Sequence, residues 1–420
     1  TKSLRAMKKK NIIEFEQVVE RGCGMDVHKD LIVTTIQGKG IKTETKSFRT
    51  FTSSLKKLRE WLKQHGITHL AMESTGVYWK PVFNVLGDDF MIILVNARHV
   101  KNVPGHKTDK QDSKWLAKLL LSGLLKGSFI PGKEIRDLRD LVRTKTQLTG
   151  EISSAKNRFI KFMESANIKL SSVLTDVFCV TGQKIIAEIL DGDYKPERLL
   201  YHVHGRVKAS RQDIIEALTG NLDEHYRFMM KIMLEHIANI ENVIAKIDAQ
   251  IMQKTEDHKE ILELLETIPG VGRDGAICIV AEIGTNMEAF ASHKHLASWA
   301  GMCPGNNESA GKNKSGRITY GNAFLRTFLV QMAWAAARTK NTYLSSKYKS
   351  LVGRRGKKKA VIAVGHKILI DAYFIMKNKV GYNELGEEYL NNFRRDKLIN
   401  YYKNQLQKLD PNVNFDKEVA

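Results

Sequence analysis

The sequence predicts an α/β unit at the N-terminal end followed by a mainly helical remainder, and three observations lead there. Between residues 20 and 125, short apolar runs alternate with segments of helical spacing. Beyond about residue 131, apolar residues recur every three to four positions. From Leu262 onward, helical runs are broken by glycine-rich turns.

In order along the chain, residues 1–19 read as a basic arm with neither the apolar core nor the small-residue cleavage site of a secretory signal. "GCGMDVHKDLIVTTIQGKG" holds two apolar runs close enough to pair as a hairpin, and "KTETKSFRTF" alternates like a third strand. "SSLKKLREWLKQHG" carries Leu55, Leu58, Trp61 and Leu62 at helical spacing and is closed by Gly66. "THLAMES" is a short strand ending at Glu73, "TGVYWKPVFNVLGD" a helix with Pro81 in its first turns, and "FMIILVNA" a strand buried on both faces. After a basic loop, "KQDSKWLAKLLLSGLL" returns to helix. These elements make up the α/β domain, 20–130.

Residues 131–260 read as two coiled-coil arms. One carries Leu138, Leu141, Leu148, Ile152, Ala155, Phe159 and Phe162, with Lys145 interrupting; the other carries Ile240, Ile244, Ile247 and Ile251. Such seams serve an antiparallel hairpin within one chain or a dimer. The stretch near 170–225 is less regular and reads as an insertion between them. Residues 261–380 form the helical C-terminal domain, with a glycine-rich loop at 299–322 and a strong helix over 323–340, and residues 381–420 a polar tail.

Composition narrows the partners. The chain has 420 residues, 67 of them basic against 46 acidic, for a net charge of +21. Such a surface calls for an anion: nucleic acid first, an anionic membrane second. No apolar run approaches the ~20 residues of a spanning helix. The four cysteines are far apart and form no C-x-x-C pair, which fits reduced thiols in a cytoplasmic protein rather than a zinc ribbon.

Asp26 lies in "GMDVHKD", inside an apolar strand, where a carboxylate is costly without a partner. Glu73 ends another strand, and "GHKTDKQDSKW" supplies Asp109 and Asp112, three apart and so on one face of a helix start. Three segments thus each bring a carboxylate to the end of an element. A ribonuclease-H-like sheet uses this layout to hold two divalent metals about 3.5–4 Å apart for phosphoryl transfer. Hard oxygen donors suit magnesium, or manganese. Taken singly, the two aspartates are an ordinary N-terminal charge pair and Glu73 a cap. His28 reads as structural or substrate-facing rather than as a ligand.

The second constellation is "NNESAGKNKSGRITYGNAFLR". Ser309 stands among Lys312, Lys314, Arg317 and Arg326. A serine hydroxyl attacks phosphate only with help from a base or metal and with cations on the phosphate. Taken alone, a flexible basic loop explains the segment equally well. "IPGVG", with Gly270 and Gly272, resembles a helix–hairpin–helix turn whose backbone amides meet DNA phosphate. "GRRGKKKA", with Arg354 and Arg355, reads as a phosphate-contact patch, and Lys107 and Lys110 flank the acidic pair.

Together "GMDVHKD", "AMESTGVYW", "NARHVKNVPGHKTDKQDSKWLA", "IPGVG" and "WAGMCPGNNESAGKNKSGRITYGNAFLR" resemble, in order and over nearly the whole chain, the insertion-sequence-one-ten family of bacterial DEDD transposases. These are relatives of the Piv invertases and are known as bridge-RNA-guided recombinases. The resemblance implies a RuvC-like N-terminal domain with Asp26, Glu73, Asp109 and Asp112 as its metal set. It implies a C-terminal transposase domain with Ser309 as nucleophile, Ala310 standing where the family has glycine and Ser315 as the fallback. It further implies a guide RNA that pairs with target and donor DNA, dimers assembled into a tetramer, and a composite site shared between protomers. A nucleoid-associated bacterial protein would follow. The competing readings are a metal-dependent hydrolytic nuclease or junction resolvase, and a non-catalytic nucleic-acid-binding scaffold. The chain has no G-x-x-x-x-G-K-[ST] loop, as expected of a reaction that conserves bond energy without ATP.

Overall fold

A computed structural model describes residues 18–73, 76–95, 109–125, 127–192, 195–205, 207–305, 307–309 and 312–410. The chain divides into two compact units on either side of the Ile130–Pro131 bond.

The first unit is a five-stranded mixed sheet covered on both faces. Strands β1 (Arg21–Val27), β2 (Leu31–Gly38) and β3 (Glu44–Arg49) form an antiparallel meander. Helix α1 (Thr52–Gln64) leads to β4 (His69–Glu73), and α2 (Trp79–Leu86) leads to β5 (Met91–Val95). Both β4 and β5 run parallel to their inner neighbour, so the order is β3-β2-β1-β4-β5 with β1 central. Helix α3 (Asp109–Leu121) completes the unit.

Strand alternation sorts the side chains of β1 between two layers. Cys23, Met25 and Val27 face the main core, with Leu55, Leu58 and Leu62 of α1 and Val82 and Leu86 of α2. Gly22, Gly24 and Asp26 face the other way, toward α3. There the absence of side chains matters. A Cβ on Gly24 would lie 2.1 Å from the Ser113 carbonyl oxygen and 2.4 Å from the Ala117 nitrogen, and one on Gly22 would lie 2.8 Å from Leu120. Helix α3 therefore rests its backbone directly on the central strand. The buried Ser113 hydroxyl is 2.8 Å from that of Thr35 on β2, which ties the first turn of α3 to the sheet.

The second unit begins with α4 (Lys133–Ser165), one long arm. Four helices follow, α5 (Leu170–Val173), α6 (Val180–Asp191), α7 (Pro196–Leu199) and α8 (Arg211–Leu218). The chain then returns along α9 (Glu224–Thr255). The two arms pair with each other in antiparallel fashion, and ion pairs Asp137–Lys254, Lys145–Asp248 and Lys156–Glu241 set their register. Lys145, which interrupts the apolar seam, thus has a defined partner across it. Residues 170–225 are not a loose insertion. Ile185, Ile186, Ile189, Leu199, Ile214 and Leu218 share one buried core with Phe159 and Met163 of α4 and Met230 and Ile237 of α9, so these helices cap the tip of the arms.

Helices α10 (Lys259–Glu266), α11 (Arg273–Ile283) and α12 (His293–Trp299) come next. The glycine-rich segment read as a loop contains a two-stranded hairpin, β6 (Asn307–Ser309) and β7 (Lys312–Ser315). No apolar alternation marks these strands in the sequence; backbone pairing alone makes them. The unit closes with α13 (Ala323–Arg338), α14 (Tyr343–Arg355), α15 (Lys357–Asn378) and α16 (Tyr389–Leu409), so the segment read as a polar tail contains a helix. No helix among the described residues is long and apolar enough to cross a membrane.

The packing at Gly24 is testable. Gly24→Ala forces the α3 backbone off the strand and is expected to cost about 3 kcal/mol in urea unfolding, the upper end of ordinary overpacking. Gly150→Ala is the control: its Cβ would meet nothing within 4 Å, and removing an exposed helical glycine should stabilise by up to about 1 kcal/mol.

Candidate active site

The two parallel strands β1 and β4 end on the same side of the sheet. Met25 pairs with Met72, so Asp26 and Glu73 stand one step further along neighbouring strands, both on the face opposite the main core. That is the face covered by α3, whose N-terminus opens at the same end. Carboxylates in a first helical turn are favoured by the positive end of the dipole, and Asp109 and Asp112 occupy that turn. The fold therefore brings three of the four sequence-predicted acids, Asp26, Asp109 and Asp112, to one corner of the first unit. The fourth, Glu73, ends the adjacent strand.

The centre of this corner holds a histidine that sequence reasoning set aside. The Nε2 of His28 is 3.1 Å from Asp26 Oδ2 and 3.6 Å from Asp109 Oδ2. One ligand atom from each of Asp26, His28 and Asp109 lies within 4.8 Å of the other two, close enough for a single metal ion. His28, read as structural or substrate-facing rather than as a ligand, is placed between two carboxylates. The signal was available: residues i and i+2 of a strand share a face, so Asp26 and His28 project together.

Electrostatics set the character of the corner. Asp26 is only 16% exposed in its side chain, whereas His28 and Asp109 are about half exposed. Burial raises the Asp26 carboxyl above its ordinary value; the adjacent His28 pulls it down, and Asp109 and Asp112 push it up again. Asp109 and Asp112 crowd Asp26, a charge arrangement that a bound cation relieves. The donor set is mainly carboxylate oxygen with one imidazole nitrogen, which fits magnesium or manganese.

The second constellation lies in the other unit. Ser309 ends β6 and pairs in register with Lys312 of β7, while Asn307 pairs with Ser315. The two serines therefore stand at opposite ends of the hairpin, with Ser309 next to the turn. Lys314 is on β7, Arg317 is exposed just beyond it, and Arg326 is half-buried in the first turns of α13. The two glycines of "IPGVG" differ. Gly270, at φ +85°, packs against α13: a Cβ there would lie 2.4 Å from the Ala336 nitrogen and 2.6 Å from the Met332 carbonyl oxygen. Its role is close helix packing. Gly272 has open space beside it and caps α11, leaving the first amides of that helix toward solvent. Arg354 and Arg355 are exposed at the elbow between α14 and α15, beside Lys357, Lys358 and Lys359. Lys110 is exposed on α3, and Lys107 lies outside the described residues. The four cysteines are free thiols.

Removal of one crowded charge makes a prediction. Without divalent metal, the folded protein holds the Asp26 proton at pH values where the unfolded chain has lost it. Asp26 therefore favours folding below the ordinary carboxylate value, and that contribution is lost as pH rises through the raised one. At neutral pH, metal-free Asp26→Asn should be more stable than wild type by about 0.5–2 kcal/mol. Manganese should raise the melting temperature of wild type but not of this variant. A thermal melt series with and without metal checks both signs.

Comparisons with known proteins agree with this layout. Residues 23–168, which contain all four acids, match a family model for the DEDD transposases of the IS110 type. Residues 262–349, which contain the serine hairpin and "IPGVG", match a second model, described as the transposase IS116/IS110/IS902 family. The two matches name one family and fall in order along the chain, together spanning somewhat more than half of it. A search of curated proteins finds no match.

Proposed function

The chain belongs to the IS110 family of transposases, enzymes of DNA recombination, and we propose that it is an RNA-guided recombinase that exchanges target and donor strands through a covalent phosphoserine intermediate. The observation that carries the metal half of this reading is the convergence of Asp26, His28 and Asp109, with Asp112 in the same helical turn. The order β3-β2-β1-β4-β5, with acids at the ends of β1 and β4, supports a RuvC-like assignment for this unit.

Asp26, Glu73, Asp109 and Asp112 would hold divalent cations, with His28 as a further ligand to one of them. Bound cations would polarise the scissile phosphodiester and help deprotonate an attacking oxygen. Ser309 is the proposed nucleophile. Its Oγ bonds to phosphorus, the bond from phosphorus to one deoxyribose oxygen breaks, and that oxygen leaves as a hydroxyl, taking up a proton. A free hydroxyl on the exchanged strand then attacks the phosphoserine and releases Ser309. One phosphoester replaces another in each step, so no nucleotide cofactor is consumed.

Cations close to the serine support this role. Lys312 faces Ser309 across the hairpin, and Lys314, Arg317 and Arg326 lie on the same segment or the next helix. Arginine grips phosphate with two parallel bonds. The chain's net charge of +21 suits a complex in which one protein holds both DNA and a guide RNA. The long antiparallel arms suit assembly into dimers and tetramers, and the bacterial nucleoid is the proposed location. Hydrolysis alone is the second reading, favoured by the match of residues 23–168 to a DEDD transposase model, since a carboxylate-held metal can activate water without a serine.

A covalent-adduct assay separates the readings. Protein, magnesium, RNA from the non-coding flank of the element, and nicked target and donor DNA are combined and resolved on a denaturing gel. A protein–DNA adduct is expected from wild type and from neither Ser309→Ala nor Asp26→Asn. An adduct that survives Ser309→Ala moves the nucleophile to another residue, Ser315 first. Cleavage with no adduct selects the nuclease, and binding without cleavage selects the scaffold.

Salt provides an independent check on the basic faces. If several lysines and arginines neutralise phosphates, affinity for DNA should fall by about 10³-fold or more between 50 and 200 mM salt. A flat response would remove these faces from the binding surface.

A further inference from the structure

Glu282 is the most buried charge of the second unit that the proposed chemistry leaves unused. It sits near the end of α11 with no exposed surface. Arg143 of the arm helix α4 grips both of its carboxylate oxygens, at 2.7 and 2.9 Å. Arg139, one turn earlier, donates to the backbone carbonyls of Ala281 at 3.1 Å and Glu282 at 2.6 Å. Asn322 completes the set, its Nδ2 donating to Glu282 Oε2 at 2.5 Å.

Asn322 is placed to pass this grip on to the serine hairpin. Its Oδ1 caps α13 by accepting from the amides of Phe324 and Leu325. Its own amide donates to the Trp299 carbonyl. The residue before it, Gly321, lies so close to Gly301 that a Cβ would come within 2.2 Å of the Gly301 nitrogen. The two ends of the serine segment are thus pinched together beside Asn322. From there the strands run outward through the Thr319–Cys303 and Gly305–Arg317 backbone bonds to β6 and β7. Arg143 also lies over the ring of Phe324, 5.3 Å from its centre, so the arm meets the start of α13 directly as well as through Glu282.

We propose that Glu282 and Asn322 are positioning residues that lock the base of the Ser309 hairpin to the arm helix, so that the arm sets where the serine is presented. This deepens the reading of Ser309 as nucleophile and rests on it. A buried carboxylate held by two arginines costs much desolvation and contributes little net stability compared with apolar packing. What it adds is geometry: each oxygen has a fixed partner, and the asparagine amide can meet it in one orientation only. The proposal assigns no contact with DNA to either residue.

The test uses the full chain in the magnesium, RNA and nicked-DNA adduct assay. Asn322→Ser keeps a good helix cap, but its hydroxyl is one bond shorter than the amide nitrogen that reaches Glu282. The expected result is an adduct-formation rate reduced by roughly a hundredfold, as for a reacting group displaced by about 1 Å, with nucleic-acid affinity and melting temperature unchanged. Asn322→Asp sets a second carboxylate against Glu282 and should be slower still. Combining Asn322→Asp with Glu282→Gln restores the bond with donor and acceptor exchanged, gives up one of the two Arg143 bonds, and should recover part of the wild-type rate. Hydrogen exchange supplies a readout that does not depend on the chemistry: peptides covering 303–320 should lose protection in Asn322→Ser and regain it in the double variant. Wild-type rates and wild-type exchange in Asn322→Ser overturn the proposal. So does loss of folding in the single and double variants alike, which would make the cluster purely structural. If wild type itself forms no adduct, the Ser309 reading fails, and the exchange data alone decide whether Asn322 holds the hairpin.

Discussion

The candidate site of the first unit depends on how closely α3 approaches β1 at Gly24. A helix normally packs on a sheet through side chains on both surfaces. Here the strand offers Gly22 and Gly24, and the helix backbone comes down onto them. The consequence is positional. A helix seated one side chain higher would lift Asp109 away from the strand end and separate it from Asp26 and His28. Ser113, buried and hydrogen-bonded to Thr35, fixes the helix along its axis as well as its height. Packing at one end of the helix therefore decides ligand geometry at the other. Burial raises the Asp26 carboxyl, and Asp109 and Asp112, brought close by the same packing, raise it further.

The second unit solves a different problem with different means. Its long arms share a deep apolar core at the tip, where α5 to α8 complete it. Along the middle, the seam residues Leu148, Ile152, Ile244 and Ile247 are half-exposed, and ion pairs between the arms set the register. At the base, the arm meets α11 and α13 through the buried Glu282 cluster. Apolar contacts tolerate sliding; a bidentate arginine–carboxylate pair does not. The arm is thus joined to the serine-bearing segment by the least slippery contact available to it.

Charge is distributed according to task. The candidate carboxylates of the first unit gather at one corner of its sheet, while in the second unit exposed lysines and arginines occupy the elbow at 354–359 and Arg317 is exposed just beyond the serine hairpin.

Much of this was legible in the residues. Alternation marked the five strands, and three-to-four spacing marked α1, α3, the arms and α13, because burial of one face leaves its period in the chain. The acids stood out because a carboxylate in an apolar strand demands a partner. Other features left no such trace. The hairpin β6–β7 is polar on both sides, so its pairing has no periodic signature. The helices at 170–218 are short, and their apolar faces make sense only against the arm tips. Gly270 looked like a phosphate turn, yet its missing side chain serves the approach of α13. Glu282 carried no signal, and His28 read as structural or substrate-facing, because Arg143 and Asp109, which they meet, are distant along the chain. The sequence by itself determined the five strands of the first unit and the longer helices up to α13, and which acids and serines could carry chemistry. Only the tertiary structure decided which of them meet, because hydrogen bonds and ion pairs act over a few ångströms of space and are indifferent to the hundred or more residues that separate Arg143 from Glu282.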